Sequence, residues 1–108
     1  MKASERYARL VNDLAGAPGV TRVAEGKGFG SSGQLKVDGR IFAMLVRDAL
    51  VLKLPAARVS ELVSAHEGTH FDAGKGKPMR EWFVLSPTSR KDWRDLAGEA
   101  MAFVRQQR

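Results

Sequence analysis

Apolar and polar residues alternate with a period near two from Gly33 to Pro55, GQLKVDGRIFAMLVRDALVLKLP. That stretch predicts three short antiparallel strands joined by two tight turns. Asp38-Gly39 has the composition of a two-residue hairpin loop with positive φ at both positions. Such a loop pairs Val37 with Arg40, Lys36 with Ile41 and Leu35 with Phe42. A second two-residue loop, at Arg47-Asp48 or Asp48-Ala49, keeps the same parity either way. One face then carries Ile41, Ala43, Leu45, Leu50, Leu52 and Leu54, and the other carries Leu35, Val37, Phe42, Met44, Val46 and Val51. Both faces are apolar, so each is expected to be covered, by helices on two sides or by a second protomer.

Helical spacing brackets this meander. Tyr7, Leu10, Val11 and Leu14 form one stripe of a first helix, from about Ala3 to Ala15, which Ser4 can cap and Gly16 with Pro18 ends. Val20 to Ala24 reads as a short strand. Pro55 suits the first position of a second helix reaching to about Glu67, with Val59, Leu62, Val63 and His66 as its stripe and Gly68 just past its end. Residues 72 to 80, DAGKGKPMR, read as a basic loop, and Trp82 to Leu85 as a further strand. The last helix is expected over about Ser89 to Gln107, burying Trp93, Leu96, Ala97, Ala100, Met101 and Val104. The order is α, a short β, then β-β-β-α-β-α. This is an α+β domain in which three helices pack on an antiparallel meander sheet, and residues 1–108 form a single unit.

Composition narrows the chemistry. The 108 residues contain no cysteine, which removes disulfides, thiolate metal sites and cysteine nucleophiles. The opening MKASERYARL has no apolar leader region and no run approaches a membrane span, so the expectation is a soluble cytoplasmic protein without a membrane partner. Eighteen Lys and Arg against 12 Asp and Glu leave a net charge of +6. A surplus of that size permits binding to polyanions, and it also serves solubility.

Three motifs resemble known chemistry. His66-Glu67-Gly68-Thr69-His70 has the HExxH spacing of zinc peptidases, which needs both histidines on one helical face. Gly68 falls where the apolar stripe stops, so the setting is wrong for a zinc site. Gly28-Phe29-Gly30-Ser31-Ser32-Gly33 matches GxGxxG, yet a strand follows where a dinucleotide site needs a helix. Gly74-Lys75-Gly76-Lys77 with Arg80 has the makings of a backbone nest flanked by cations, and Lys27 in the other glycine-rich loop can join it if both loops lie on one edge. Lys27, Lys75, Lys77 and Arg80 are therefore the candidate anion or nucleic-acid residues, set against a plain solvated turn. Trp82, Phe83 and Trp93 are candidate stacking platforms whose spacing fits core positions better. No GxSxG elbow occurs, and Asp38, Asp48 and Asp72 sit where turns want carboxylates.

Asp38-Gly39, Ile41-Phe42-Ala43, Leu52-Lys53-Leu54 and Gly76-Lys77-Pro78-Met79 ahead of Trp82 resemble the TfoX N-terminal domain family. The strand pattern is also similar to that of MmcQ/YjbR-like proteins. The likeness runs from about Gly28 to Val104. Ala24-Glu25-Gly26 departs from the aromatic-glycine entry usual in that family. The resemblance implies an α+β domain with no established catalytic residues. The competence-regulating members carry a second, C-terminal helical domain that these residues do not include, so that role is not carried over. The expectation is a non-enzymatic binding domain of a bacterial cytoplasm, without cofactor, metal or small-molecule ligand. Its expected partner is a protein or a second copy of itself, and the alternative is nucleic acid bound with salt-sensitive affinity by the glycine-lysine loops.

Overall fold

In the computed structural model, which describes residues 3–23, 34–71 and 79–107, nine elements follow one another. They are α1 (Ala3–Leu14), β1 (Val20–Val23), β2 (Gln34–Val37), β3 (Arg40–Val46), β4 (Ala49–Lys53), α2 (Ala56–Ser64), β5 (Gly68–Phe71), β6 (Met79–Leu85) and α3 (Trp93–Gln106). The strands form an antiparallel sheet in the order β1-β2-β3-β4-β6-β5. The α+β class and the central meander are those the alternation predicts. GTHF, which contains one large apolar residue, is the edge strand β5 and carries no sequence signal of its own.

Both meander turns have the conformation that right-twisted strands require. Asp38 and Gly39 have φ of 52° and 83°, and Arg47 and Asp48 have φ of 49° and 65°. Val37 pairs with Arg40, Lys36 with Ile41 and Val46 with Ala49. The next pair departs from expectation. Leu35 faces Ala43, so Phe42 is an extra residue on β3 and the register shifts there. This is a β-bulge. It rotates Phe42 onto the side of Ala43 and Leu45, together with Leu35 and Val37, all in one core cluster. The expectation that Leu35, Val37 and Phe42 share a face with Met44, Val46 and Val51 is thereby corrected.

All three helices lie on that one side. Tyr7, Leu10, Val11 and Leu14 of α1, Val59 and Leu62 of α2, and Trp93, Leu96, Ala97, Ala100 and Val104 of α3 join Leu45, Leu50, Leu52, Leu54, Phe83 and Leu85 in the main core. Each large side chain so buried contributes about 1.5–3 kcal/mol by area removed from water. The other side of the sheet holds a small separate cluster of Met44, Val51 and Phe71. Helices on two sides are not found among the described residues.

Two helix boundaries also shift for local reasons. The second helix stops at Ser64, three residues short of Glu67. His66 takes the left-handed position with φ of 63°, its N–H donates to the Val63 carbonyl and the Glu67 N–H donates to the Leu62 carbonyl, both at 3.0 Å. That pair of bonds is a Schellman cap, and it points His66 out to solvent instead of into the helix stripe. Gly68 is therefore not the helix stop. A Cβ on it would stand 2.0 Å from the Val84 carbonyl oxygen, so glycine is required for β5 to approach β6. The last helix begins at Trp93, not Ser89. Ser86 and Ser89 hydroxyls accept from the N–H groups of Thr88 and Lys91 in tight turns, and the Asp92 carboxylate caps α3 by accepting from Arg94 N–H at 2.8 Å.

Candidate functional site

Of the four candidate anion residues, Lys27, Lys75 and Lys77 lie outside the described residues, as does the GxGxxG stretch. Arg80 is exposed on β6. It borders a shallow depression of about 360 Å³ with Ala56, Ala57 and Ser60 of α2 and His70 of β5. Arg80 is the one cation of that lining, so a cation cluster is not assembled around it among the described residues.

The HExxH residues are split between three settings. His66 caps α2 in a left-handed conformation, Glu67 lies in the connection, and His70 sits on β5 opposite Phe83. The Glu67 carboxylate accepts a hydrogen bond from the Ser89 hydroxyl at 2.8 Å, tying this connection to the segment before α3. The helical face on which both zinc-peptidase histidines must stand is not formed. Among the described residues no three metal-ligating side chains gather, and no helix is long and apolar enough to cross a membrane.

Two other surfaces stand out. The first is a groove of about 460 Å³ in the helix layer, between α1 and the start of α3. Arg6 and Arg9 line it from α1, Arg90 and Lys91 from the segment entering α3, and Arg94 from the first turn of α3. Asp13 and Asp92 are its carboxylates, so five cations against two acids leave +3 in one groove, half the surplus of the whole chain. Ion pairs among the described residues are confined to Arg58 with Glu61 and Glu99. None of the groove cations is therefore held in an ion pair with a carboxylate among the described residues. Arg6 is fixed in place, with its guanidinium 4.2 Å from the centre of the Trp93 ring. The signals were present in the sequence as Arg6 and Arg9 at i, i+3 on the polar side of α1 and as SRKDWR ahead of the last apolar stripe. They come from opposite ends of the chain, and only the packing of α1 against α3 joins them.

The second surface is the side of the sheet on which no helix packs among the described residues. Val46, Trp82 and Val84 are half-buried around Met44, Val51 and Phe71. Lys36 and Lys53 point to this side, because Leu35, Val37, Leu52 and Leu54 point to the main core. Lys53 Nζ lies 5.8 Å from the Trp82 ring centre. Among the described strands the one carboxylate is Glu81 of β6, which alternates to the side of Phe83. Of the three candidate stacking residues, Phe83 is fully buried and Trp93 nearly so, at 9% exposure, which leaves Trp82 partly accessible.

Compared with known proteins, the chain matches no family model, no curated protein and no solved structure.

Proposed function

We propose that this chain is a non-enzymatic binding domain of the TfoX N-terminal type, and that it docks an acidic protein partner on the helix-free side of its sheet. The observation that carries this is the composition of that side: Met44, Val51 and Phe71 are buried beneath it, and the half-buried Val46, Trp82 and Val84 are the apolar side chains it leaves partly accessible, with Lys36 and Lys53 as its charges. Partly accessible apolar side chains, an aromatic among them, flanked by charges have the composition of a protein interface. Trp82, half-buried and beside a cation, is the residue type that anchors such contacts. A second copy of the chain would bring the same lysines, and the strand carboxylate, Glu81 of β6, alternates to the side of Phe83, so charge favours a different, acidic partner over self-association.

The test uses two synthetic peptides, one alternating Leu with Glu and one alternating Leu with Lys, titrated into the full chain. The Glu peptide should bind and shift the Trp82 emission, and Trp82→Ala or Lys53→Glu should weaken it about tenfold, as an anchor residue does. Equal binding of both peptides, or none, overturns the reading. A sedimenting dimer that dissociates on Lys53→Glu or Trp82→Ala replaces it with self-association.

A further inference from the structure

The groove between α1 and the entry to α3 has no part in the sheet-side reading, and it lies on the opposite layer of the molecule. Its charge is concentrated, five cations against Asp13 and Asp92, and none of those cations is in an ion pair among the described residues. Three of its cations, Arg9, Arg90 and Arg94, are exposed guanidinium groups, which present planar forks of donors suited to phosphate oxygens. Arg6 is the fourth guanidinium, held against Trp93, and Lys91 adds a mobile point charge.

We infer that this groove binds the phosphodiester backbone of a nucleic acid. Four observations select that ligand. Five cations in one groove exceed what a single phosphate needs and suit a run of them. Trp93, the aromatic of the groove, is covered by Arg6 and 9% exposed, so no platform is offered for base stacking and contact falls on the backbone. Asp92 is committed to capping α3 through Arg94 N–H, so the helix start is already neutralised and plays no part. Asp13 is the acid facing the bound anion, and it limits affinity without specifying a base. Binding is therefore sequence-independent and dominated by counterion release.

The experiment is fluorescence anisotropy with labelled DNA duplexes of about 20 base pairs, using the full chain between about 50 and 200 mM salt. Wild type should bind two unrelated duplexes with similar affinity and a log–log salt slope of about −3 to −4. Arg9→Glu with Lys91→Glu, both exposed sites, should lower affinity at least about tenfold and flatten the slope by about 2. Arg40→Glu with Arg47→Glu, exposed at the start of β3 and just past its end, removes the same charge elsewhere and should leave affinity within about twofold. Arg90→Ala with Arg94→Ala is the second groove variant, used if the first fails to fold as judged by circular dichroism. Absence of salt-sensitive binding by wild type overturns the assignment. Equal losses in groove and control variants also overturn it, since binding would then follow net charge alone. Inorganic pyrophosphate competing at the affinity of the duplex assigns the groove to a small phosphate ligand and removes the nucleic acid.

Discussion

Leu35 stands opposite Ala43, and Phe42 between them in register has no partner on β2. The displaced residue is the largest fully buried side chain beside Phe83, and the bulge places it in the helix-side core. Tyr7 of α1 reaches the same point, its hydroxyl donating to the Ala43 carbonyl over a long 3.5 Å.

Phe42→Ala should therefore cost about 3–5 kcal/mol, the range for deleting a buried aromatic ring. Ile41→Ala, half-buried on the other side of the strand, should cost about 1 kcal/mol or less. Urea unfolding of both variants checks the contrast. Similar costs would mean that the strand runs in regular register through this point.

The meander was legible because its turns announce themselves. Asp38-Gly39 names its own backbone conformation, and alternation on either side fixes the pairs nearest the turn. The bulge was not legible, since an extra residue in a strand needs no special side chain and RIFAMLV reads equally well with or without it. One unpartnered residue then reversed which side Leu35 and Val37 face. Strand β5 was hidden for a different reason. Its pairing with β6 rests on a glycine that lets backbones approach, a requirement that sequence alone assigns to a helix stop. The basic groove was illegible as a site because it joins residue 6 to residue 94 through tertiary packing.

His66 takes the helix-ending role expected of Gly68, and Gly68 instead lets β5 approach β6, a reassignment that is testable. His66 is in a left-handed conformation that costs a non-glycine residue about 1–2 kcal/mol. His66→Gly should raise stability by about 0.5–1 kcal/mol, since relief of that strain exceeds the extra flexibility of the unfolded chain. Gly68→Ala should instead lower stability by about 1–3 kcal/mol, because its Cβ would meet the Val84 carbonyl and the Phe83 ring, neither of which has room to yield. Thermal unfolding of the two single variants should give shifts of opposite sign.

Arg58 joins α2 to α3 by charge. Its guanidinium donates to both carboxylate oxygens of Glu99, at 2.9 and 3.2 Å, and also to Glu61. The hydrogen bond to Glu99 is the largest cause raising the Arg58 pKa above its ordinary value, opposed by partial burial. A raised pKa on a cation means stability fully present below the unfolded value and lost only as pH climbs through the folded one. The guanidinium thus contributes no pH dependence of stability across the neutral range. Arg58→Met should cost about 0.5–1.5 kcal/mol at low salt and less at about 1 M salt, where the Debye length is about 3 Å. Arg58→Lys should recover little of it, because an ammonium cannot span both oxygens of Glu99.

Trp82 and Trp93 are the chain's two tryptophans, and they report on different layers. Trp82 is half-buried beside Lys53 on the helix-free side, whereas Trp93 lies under Arg6 at the floor of the basic groove. Trp93→Phe leaves Trp82 as the single indole, and Trp82→Phe leaves Trp93. In the free protein, acrylamide should quench Trp82 several-fold more strongly than Trp93, as 9% exposure of the latter requires. A DNA duplex should perturb the Trp93 emission by engaging Arg6 and leave Trp82 unchanged. The Leu-Glu peptide should do the reverse. Both ligands added together should produce both changes with neither affinity reduced, because the two surfaces lie on opposite sides of the sheet. Competition between them would place both ligands in one site and exclude a two-surface adaptor.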